Sequence, residues 1–306
     1  MVTAGMSCRT LSRKAVASLP RAPVRSAAHD YYCVRGKLVQ RLEILAAPRN
    51  PRDLRVLELG CGLHAPMVAL FGSDGWDWQG VDIEPVFICD SPRALYEEQS
   101  RHRGHLRATK WIVGDYPTLL MHHKLLSDMA CRRVWPDRRR LHSYDGRRLP
   151  FSDGSFDVVV SNAVLEHVND LPCLARELAR VLAPQGVMDM LWHNFYCPSG
   201  SHLPRWVTDE SPWGHVTGAI ATSGLNKARP EDVEAAFAES CDVLRVVAAD
   251  ADHNLKDDPG YRPEGLDSLD ATWRARLRGL PEDLLTTRAY VIQCRKPAPA
   301  VGDAAP

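Results

Sequence analysis

A glycine turn between a buried strand and a helix is the feature that most constrains the fold of this chain. Residues 54–59, LRVLEL, are apolar and branched, which predicts a buried strand. Gly60 and Gly62 follow, and residues 65–73, APMVALFGS, predict a helix. In this order of elements, the backbone N–H groups of the turn meet the positive end of a helix, where nucleotide-like ligands bind. The turn therefore predicts a cofactor site.

Six further strand signals set the fold class. The predicted strands are residues 55–59, 78–82, 141–144, 156–161, 186–192, 243–248 and 289–294. Helical stretches alternate with the early strands, and in residues 171–182 leucines recur on one face until Pro-Gln-Gly at 184–186 ends the helix. Strands that alternate with helices predict an α/β fold, a parallel, doubly wound Rossmann-like sheet of about seven strands.

Three segments are too long to be simple connections in such a fold. Residues 85–140 look helical and basic, residues 197–228 predict a lid rich in Pro, Gly, Trp and His, and residues 252–286 have a helical middle. We expect a single domain over residues 30–296. Residues 1–29, which contain five basic residues and no acid, predict a disordered leader with a superficial likeness to a transit peptide, and residues 297–306 predict a disordered tail.

Composition limits the classes of partner. The 306 residues include 38 Lys and Arg and 38 Asp and Glu, so no overall field favours nucleic acid or an anionic membrane. Nine cysteines without a C-x-x-C pair indicate reduced thiols in a cytoplasmic protein and no metal site. No apolar run approaches the ~20 residues that a membrane helix requires.

Glu58 separates two classes of cofactor. Gly60, Gly62 and Ala65 match G-x-G-x-x-G/A, and Asp82 lies near the position of a ribose-binding acid, so an NAD-dependent oxidoreductase is one alternative. A carboxylate two residues before the first glycine would repel a pyrophosphate, but it would attract the sulfonium and ammonium groups of S-adenosylmethionine. Glu58 therefore favours S-adenosylmethionine.

Three stretches resemble one family. VLELGCG, then GVDIEP, then LPFSDGSFDVVVSNAVLEHV are similar to the class I S-adenosylmethionine-dependent methyltransferases, over about residues 54–192 and the strand in RAYVIQCRKP. The resemblance implies S-adenosyl-L-methionine as cofactor and a set of matching cofactor-binding positions. These are Glu58, Gly60 and Gly62 at the methionine moiety, Asp82 at the ribose, Asp145 and Gly146 at the adenine, and Ser161 and Asn162 at the methyl group.

Two positions depart from the family pattern. Asp115, in VGDYP, is an alternative to Asp145 as the adenine-binding acid, although LPFSDGSFDVV follows Asp145 at the usual distance. His64 stands where a third glycine often occurs, and it either packs or contacts a carboxylate of the cofactor or substrate.

Methyl transfer from a sulfonium is an in-line displacement that requires alignment and, for a protonated acceptor, a base. His193 ends the fifth strand, where a side chain points into the cleft, and it is the first candidate, followed by Tyr196 and His202. Glu166, His167 and His215 are further candidates, with a structural role favoured for the Glu166–His167 pair. Nearby aromatic residues could stack on a sugar or pack within the lid.

The sequence favours O-methylation of a small-molecule or glycan acceptor and no nucleic acid, since an Asn-Pro-Pro-Tyr-like motif and a basic-aromatic stripe are both missing from it. A non-catalytic partner or regulatory protein with the same fold is the main alternative. The acceptor and the oligomeric state stay open.

Overall fold

The computed structural model describes residues 22–83, 89 and 91–298. In chain order the helices and strands are α1 (Ala22–Ala28), α2 (Arg35–Leu45), β1 (Arg55–Leu59), α3 (Pro66–Ser73), β2 (Asp77–Asp82), α4 (Pro92–Arg103), α5 (His105–Lys110), α6 (Tyr116–Ala130), β3 (Leu141–Ser143), β4 (Phe156–Asn162), α7 (Leu171–Val181), β5 (Leu182–His193), α8 (Arg205–Glu210), α9 (Pro230–Ala238), β6 (Asp242–Ala249), α10 (Ala271–Arg276), α11 (Glu282–Thr286) and β7 (Ala289–Arg295). π-Helical turns follow α1 at His29–Val34 and precede α6 at Trp111–Asp115.

The described residues form two compact units. The smaller unit contains the described residues up to Gln40 together with Cys89–Trp135, and the larger unit contains the rest. Most of the predicted insertion at 85–140 thus joins the N-terminal helices in a unit of its own. A chain that leaves a sheet and returns to it can pack on its own terminus, which local sequence patterns do not reveal.

The smaller unit is helical, as predicted for residues 85–140. In it α1 packs against α6, and the imidazole Nε2 of the buried His122 lies 3.0 Å from Asp30 Oδ2. Helix α1 falls within the predicted disordered leader, yet Ala27 and Ala28 are fully buried. The leader prediction is therefore too long at its end, and residues 1–21 and 299–306 lie outside the described residues.

The larger unit contains a seven-stranded sheet in the order β3-β2-β1-β4-β5-β7-β6. All seven strands occur where the sequence predicts them, within a few residues. The prediction of a fully parallel sheet is wrong for β7, which pairs antiparallel with both β5 and β6. The predicted helix stop at residues 184–186 is also wrong, because α7 ends at Val181 and β5 pairs with β4 from Leu182 onward.

Leucines of α7 account for the main core of the larger unit. Leu171, Leu174 and Leu178 are buried in one cluster with the β1, β4 and β5 side chains and with Val233 and Phe237 of α9. Since these leucines recur at helical spacing, one face of α7 is covered by the sheet.

A buried ion pair joins α2 to the centre of β5. Asp189 is fully buried, and its Oδ1 accepts from Arg41 Nε at 3.0 Å and from Arg41 Nη2 at 2.9 Å. Gln293 of β7 donates to Asp189 Oδ2 at 2.6 Å. The carboxylate is thus satisfied on both oxygens, as a buried charge requires.

The predicted lid and the third insertion share a small core. Trp213 is fully buried and packs with Leu269, Leu277 and Leu285. Its indole N–H donates to the Leu285 carbonyl at 3.2 Å. This part of residues 197–228 is therefore anchored to residues 252–286.

All eight cysteines in the described ranges are free, which agrees with the prediction of reduced thiols. Among the helices that can be described, none combines the length and apolar character needed to span a bilayer.

Candidate active site

The carboxyl ends of the parallel strands bring most predicted site residues to one edge of the sheet. Leu59 of β1 is the register partner of Val81 in β2 and of Ser161 in β4, so these strands end together. Asp82 ends β2, Asn162 ends β4 and His193 ends β5. In open α/β sheets this edge is where ligands bind.

The glycine turn has the conformation that the sequence predicts. Gly60 and Gly62 both have φ of +70°, a region that side chains other than glycine rarely adopt. A Cβ on Gly60 would overlap with Val164 Cγ2, whereas a Cβ on Gly62 would meet no atom within 4 Å. Asp82 Oδ2 accepts from the Gly62 N–H at 2.8 Å. The turn and the ribose-binding candidate therefore lie side by side, with open space above Gly62 that fits a ligand.

Glu58 is held by a side chain of the neighbouring strand β2. Its side chain is buried, and Oε2 accepts from the Trp78 indole N–H at 2.9 Å. Trp78 in turn stacks on Phe71 of α3 with 3.9 Å between ring centroids. Burial, followed by the nearby Glu58 and Asp82, raises the pKa of the Cys61 thiol in the turn.

Asp145 is exposed just after β3, and its carboxylate is held by its own turn. Oδ1 accepts from the backbone N–H groups of Arg147 at 2.9 Å and Arg148 at 3.0 Å, which lowers the pKa of Asp145. Gly146 has φ of +78° and open space around it. Burial, followed by Asp82 and Asp145, raises the pKa of Tyr144, so both carboxylates act on that phenol. Asp115 lies in a helical turn of the smaller unit and not at a strand end.

Ser161 and Asn162 differ in what they can reach. The Ser161 side chain is buried, and its hydroxyl donates to the Leu59 carbonyl at 3.0 Å, which ties β4 to β1. Its proton is thus directed at a neighbouring strand and not at a methyl group. Asn162 is the exposed side chain at this strand end.

Three histidines and one glutamate form a cluster at the ends of β4 and β5. The cluster consists of Glu166, His167, His193 and His202. His193 Nδ1 lies 3.2 Å from Glu166 Oε1 and 3.2 Å from His202 Nε2. The His202 ring also packs edge-on against His193 and His167, with centroids 5.1 Å and 5.3 Å away. The structure thus joins the predicted His193 and His202 to the Glu166–His167 pair.

The surroundings of His202 favour its neutral imidazole. Burial, and next the nearby His193, lower the pKa of His202, while Glu166 opposes the shift. A neutral imidazole can accept a proton or bind a cation. The cluster can therefore act as a base or as a set of ligands.

Asn226 holds the turn that carries Glu166 and His167. Its Nδ2 donates to the carbonyls of Leu165 and Val168, both at 2.7 Å, and its backbone N–H donates to the Glu166 carbonyl at 2.8 Å. Asn226 could not be predicted from the sequence, because a single asparagine in a long polar segment carries no local signal.

A hydrogen-bonded turn positions His202. The tight turn Pro198–Ser201 precedes it, and Ser199 is bound by Glu264 through its N–H at 3.0 Å and its hydroxyl at 2.9 Å. Arg288 donates to Glu264 Oε2 at 3.0 Å. A Cβ on Gly200 would overlap with the backbone of Asn194 and Phe195, so the turn can approach β5 only with glycine at this position.

The remaining candidates, Tyr196 and His215, make hydrogen bonds to backbone carbonyls. The Tyr196 hydroxyl donates to the Lys227 carbonyl at 3.2 Å. His215 is buried, its Nε2 lies 2.7 Å from the Phe195 carbonyl, and burial lowers its pKa. Of the aromatic residues predicted near the opening, Trp192, Phe195 and Trp213 are buried, and Trp206 is the exposed one.

A family model and two curated relatives name one class, the methyltransferases. Residues 28–217 match a family model described as a methyltransferase domain. Malonyl-[acyl-carrier protein] O-methyltransferase of Halorhodospira halophila is 36% identical over 86 residues, which cover 26% of this chain and 29% of that protein. The Legionella pneumophila protein of the same name is 28% identical over 153 residues, 50% of this chain and 39% of that protein. The chain thus spans well under half the length of these relatives.

Among solved structures, geranyl diphosphate C-methyltransferase from Streptomyces coelicolor A3(2) aligns with a TM-score of 0.45 and 16% identity, covering 93% of this chain and 84% of that one.

Proposed function

The chain belongs to the S-adenosylmethionine-dependent methyltransferases, and from this we propose that it methylates an oxygen atom of a small-molecule or glycan acceptor. The observation that carries the proposal is the cluster of Glu166, His167, His193 and His202. Its Glu166 lies two residues beyond Val164, whose side chain packs against Gly60 of the glycine turn. A base cluster next to a methyl-donor site suits an acceptor that must lose a proton.

The residues around Gly62 fit the cofactor. S-adenosyl-L-methionine, when bound, supplies a methyl group made electrophilic by its sulfonium. Asp82 would accept hydrogen bonds from the ribose hydroxyls, and the open space above Gly62 admits the ligand against the backbone. Glu58 contributes negative charge beneath the turn, which favours a cationic ligand over a pyrophosphate. The family match likewise favours this chemistry over a nicotinamide-dependent oxidoreductase.

His193 would accept the proton of the acceptor. Its Nδ1 faces Glu166 Oε1, so a proton on Nδ1 is stabilised by the carboxylate and the lone pair of Nε2 is available to a hydroxyl. The cofactor would supply the methyl group and keep the electron pair of its C–S bond, and His193 Nε2 would take the hydroxyl proton of the acceptor. Proton transfer of this kind typically contributes a factor of about 10²–10⁴.

An oxygen acceptor also agrees with the names of two relatives, both malonyl-[acyl-carrier protein] O-methyltransferases. The matched segments cover too little of either protein to carry over its acceptor. The exposed Trp206, in the segment after β5, offers a surface on which a sugar or an aromatic acceptor could stack.

Calorimetric titration with S-adenosylhomocysteine and with NAD tests the cofactor half of the proposal. We expect binding of the former only, and we expect Asp82→Ala to lose more than about 1 kcal/mol of binding free energy, the scale of one hydrogen bond to a charged group. Asp77→Ala is the matched control, because Asp77 is an exposed acid at the other end of the same strand. Equal affinity of the two variants would contradict the ribose assignment.

Incubation with isotopically labelled methyl donor and an acceptor library tests the reaction. We expect a labelled O-methyl product and a kcat lowered about 100-fold or more in His193→Gln, whose amide cannot serve as a base. A labelled product carrying its methyl group on nitrogen or carbon would overturn the choice of atom. A His193→Gln enzyme with native kcat would remove the base from the proposal.

A further inference from the structure

Glu166, His167 and His202 bring a carboxylate and two imidazoles to one place. Each offers a ligand atom, and the three atoms lie within 4.8 Å of one another. We propose that these three side chains bind a divalent transition-metal ion, in a site separate from that of the methyl donor. The sequence predicted no metal site. Glu166 and His167 follow β4, whereas the third ligand, His202, follows β5.

The buried carboxylate of Glu166 is the first reason. The residue is 3% exposed, and neither carboxylate oxygen has a hydrogen-bond partner among the described residues. His193 lies within ion-pair distance of Oε1, which leaves Oε2 without comparable compensation. An ionised carboxylate that is buried without full compensation is costly. A cation between Glu166 and the exposed imidazoles would supply the missing charge.

The orientation of His167 is the second reason. Its Nδ1 lies 2.9 Å from the Gly224 carbonyl, a contact that requires the proton on Nδ1. The lone pair of a neutral ring is then on Nε2. Histidines that bind metals commonly donate their other N–H to a carbonyl or carboxylate in this way. The Gly224 segment also carries Asn226, whose side chain holds the turn of Glu166 and His167.

The geometry requires only a small contraction. Ligands at about 2.0–2.2 Å from a four-coordinate ion are roughly 3.4 Å apart. His202 Nε2 is already 3.8 Å from Glu166 Oε1. Glu166 is buried and the His167 and His202 side chains are more accessible, so the contraction would be made by the two rings.

The ligand set decides the kind of ion and its use. Two imidazoles and one carboxylate favour Zn²⁺, Co²⁺ or Mn²⁺ over Mg²⁺ and Ca²⁺, which prefer oxygen ligands. Three protein ligands leave coordination positions open, as in catalytic sites. The use of the ion rests on the proposed function. The acceptor oxygen would bind at an open position, and the ion would lower the pKa of the acceptor hydroxyl. His193 lies beside Glu166 and His202, where it would receive the proton.

Cobalt(II) titration of the full-length, chelator-treated protein tests the site without any need for activity. We expect one equivalent to bind with visible d–d absorption, and Zn²⁺ but not Mg²⁺ to displace it. His167→Ala, His202→Ala and Glu166→Gln should each weaken binding tenfold or more. His105→Ala, which removes an exposed histidine outside the cluster, should bind as the native chain does.

S-adenosylhomocysteine binding by the same samples, followed by calorimetry, separates this inference from the proposed function. If the protein binds the cofactor product but not cobalt, or binds cobalt equally well in all variants, the metal site is refuted and the proposed function stands. If cobalt binding depends on the three ligands while the cofactor product does not bind, the metal site stands and the proposed function fails.

Discussion

Gly60 and Gly62 share a backbone conformation and differ in their surroundings, which makes them a matched pair. Both have φ of +70°, so alanine at either position carries a similar strain of about 1 kcal/mol. Only Gly60→Ala adds an overlap with Val164. We expect Gly60→Ala to lower the free energy of unfolding more than Gly62→Ala does. The expected difference is about 2 kcal/mol, within the ~1–3 kcal/mol typical of overpacking.

Cofactor affinity should show the opposite contrast. The methyl group of Gly62→Ala would fill the open space above the turn, so we expect it to weaken S-adenosylhomocysteine binding with little further loss of stability. Urea unfolding and calorimetry measure the two quantities. In Gly60→Ala/Val164→Ala the overlap is relieved, and part of the stability should return. A Gly62→Ala protein with native affinity would mean that the ligand does not approach this glycine.

The positions of single residues were predictable from the sequence where they depend on local structure. The glycines of the turn and Asp82 follow directly from strand, turn and strand end, and the structure brings them together. Glu58 was found but placed too near the surface, because its partner Trp78 lies on the next strand. Asn226 could not be predicted, since its side chain bonds to residues that are 61 and 58 positions away in the chain.

The ion pair between α2 and β5 should contribute strongly to stability. Asp189→Ala would leave Arg41 buried without its carboxylate, and removing one partner of a buried pair costs about 3–5 kcal/mol. We expect a loss of this size in urea unfolding. Arg41→Met/Asp189→Leu should recover part of it, because the double variant leaves no unpaired buried charge. A loss below about 1 kcal/mol in Asp189→Ala would contradict the assignment of a desolvated pair.

Helix α7 should show a pH-dependent contribution through Arg180. This guanidinium donates to Glu177 Oε1 at 2.6 Å and to Asp153 Oδ1 at 2.7 Å, which lowers the pKa of both carboxyl groups. A carboxyl group whose pKa is lowered by folding stabilises the fold at pH values above its unfolded pKa of about 4. This stabilisation is lost as the pH falls through the folded pKa. We expect Arg180→Met to lower the free energy of unfolding at pH 7 and to lower it clearly less at pH 3.

Arg176→Met is the control on the same helix. Arg176 makes an exposed contact of 3.5 Å with Glu239, and such surface pairs contribute about 0–1 kcal/mol. Urea unfolding at the two pH values compares the variants. A pH-independent loss in Arg180→Met would assign its effect to the carbonyls of Phe151 and Leu149, which it also contacts, and not to the carboxylates.

Strand positions were predictable and strand directions were not. Alternating or continuous apolar runs mark a strand whichever way it runs, so all seven were located. Direction depends on the connection, and the long segment between β6 and β7 lets β7 enter antiparallel between β5 and β6. The end of α7 was misplaced for a related reason. The pairing of Leu182 with Phe156 takes that residue into the sheet before Pro184 is reached.

The division into two units is the property furthest from the local sequence. The smaller unit combines residues from before β1 with residues between β2 and β3, so no continuous stretch of sequence encodes it. Amphipathic patterns located its helices but could not assign their partners. By contrast, composition and net charge belong to the entire chain and support a prediction about its partners.

Nucleic acid should bind weakly or not at all. The chain has 38 basic and 38 acidic residues. Two arginines of the run at residues 138–140 already contact protein groups. Arg139 lies 2.7 Å from Asp137 Oδ2, and Arg140 donates to the Trp76 carbonyl at 2.7 Å. When a protein neutralises Z phosphates of duplex DNA, the logarithm of its binding constant falls with the logarithm of the salt concentration with a slope of about −0.9Z. Fluorescence anisotropy with labelled duplex DNA and single-stranded RNA at about 50 and 200 mM salt should therefore detect no specific complex, while a basic DNA-binding protein serves as positive control. Micromolar binding that weakens steeply with salt would instead mean that a local basic surface outweighs the neutral total, and the acceptor would have to be sought among nucleic acids.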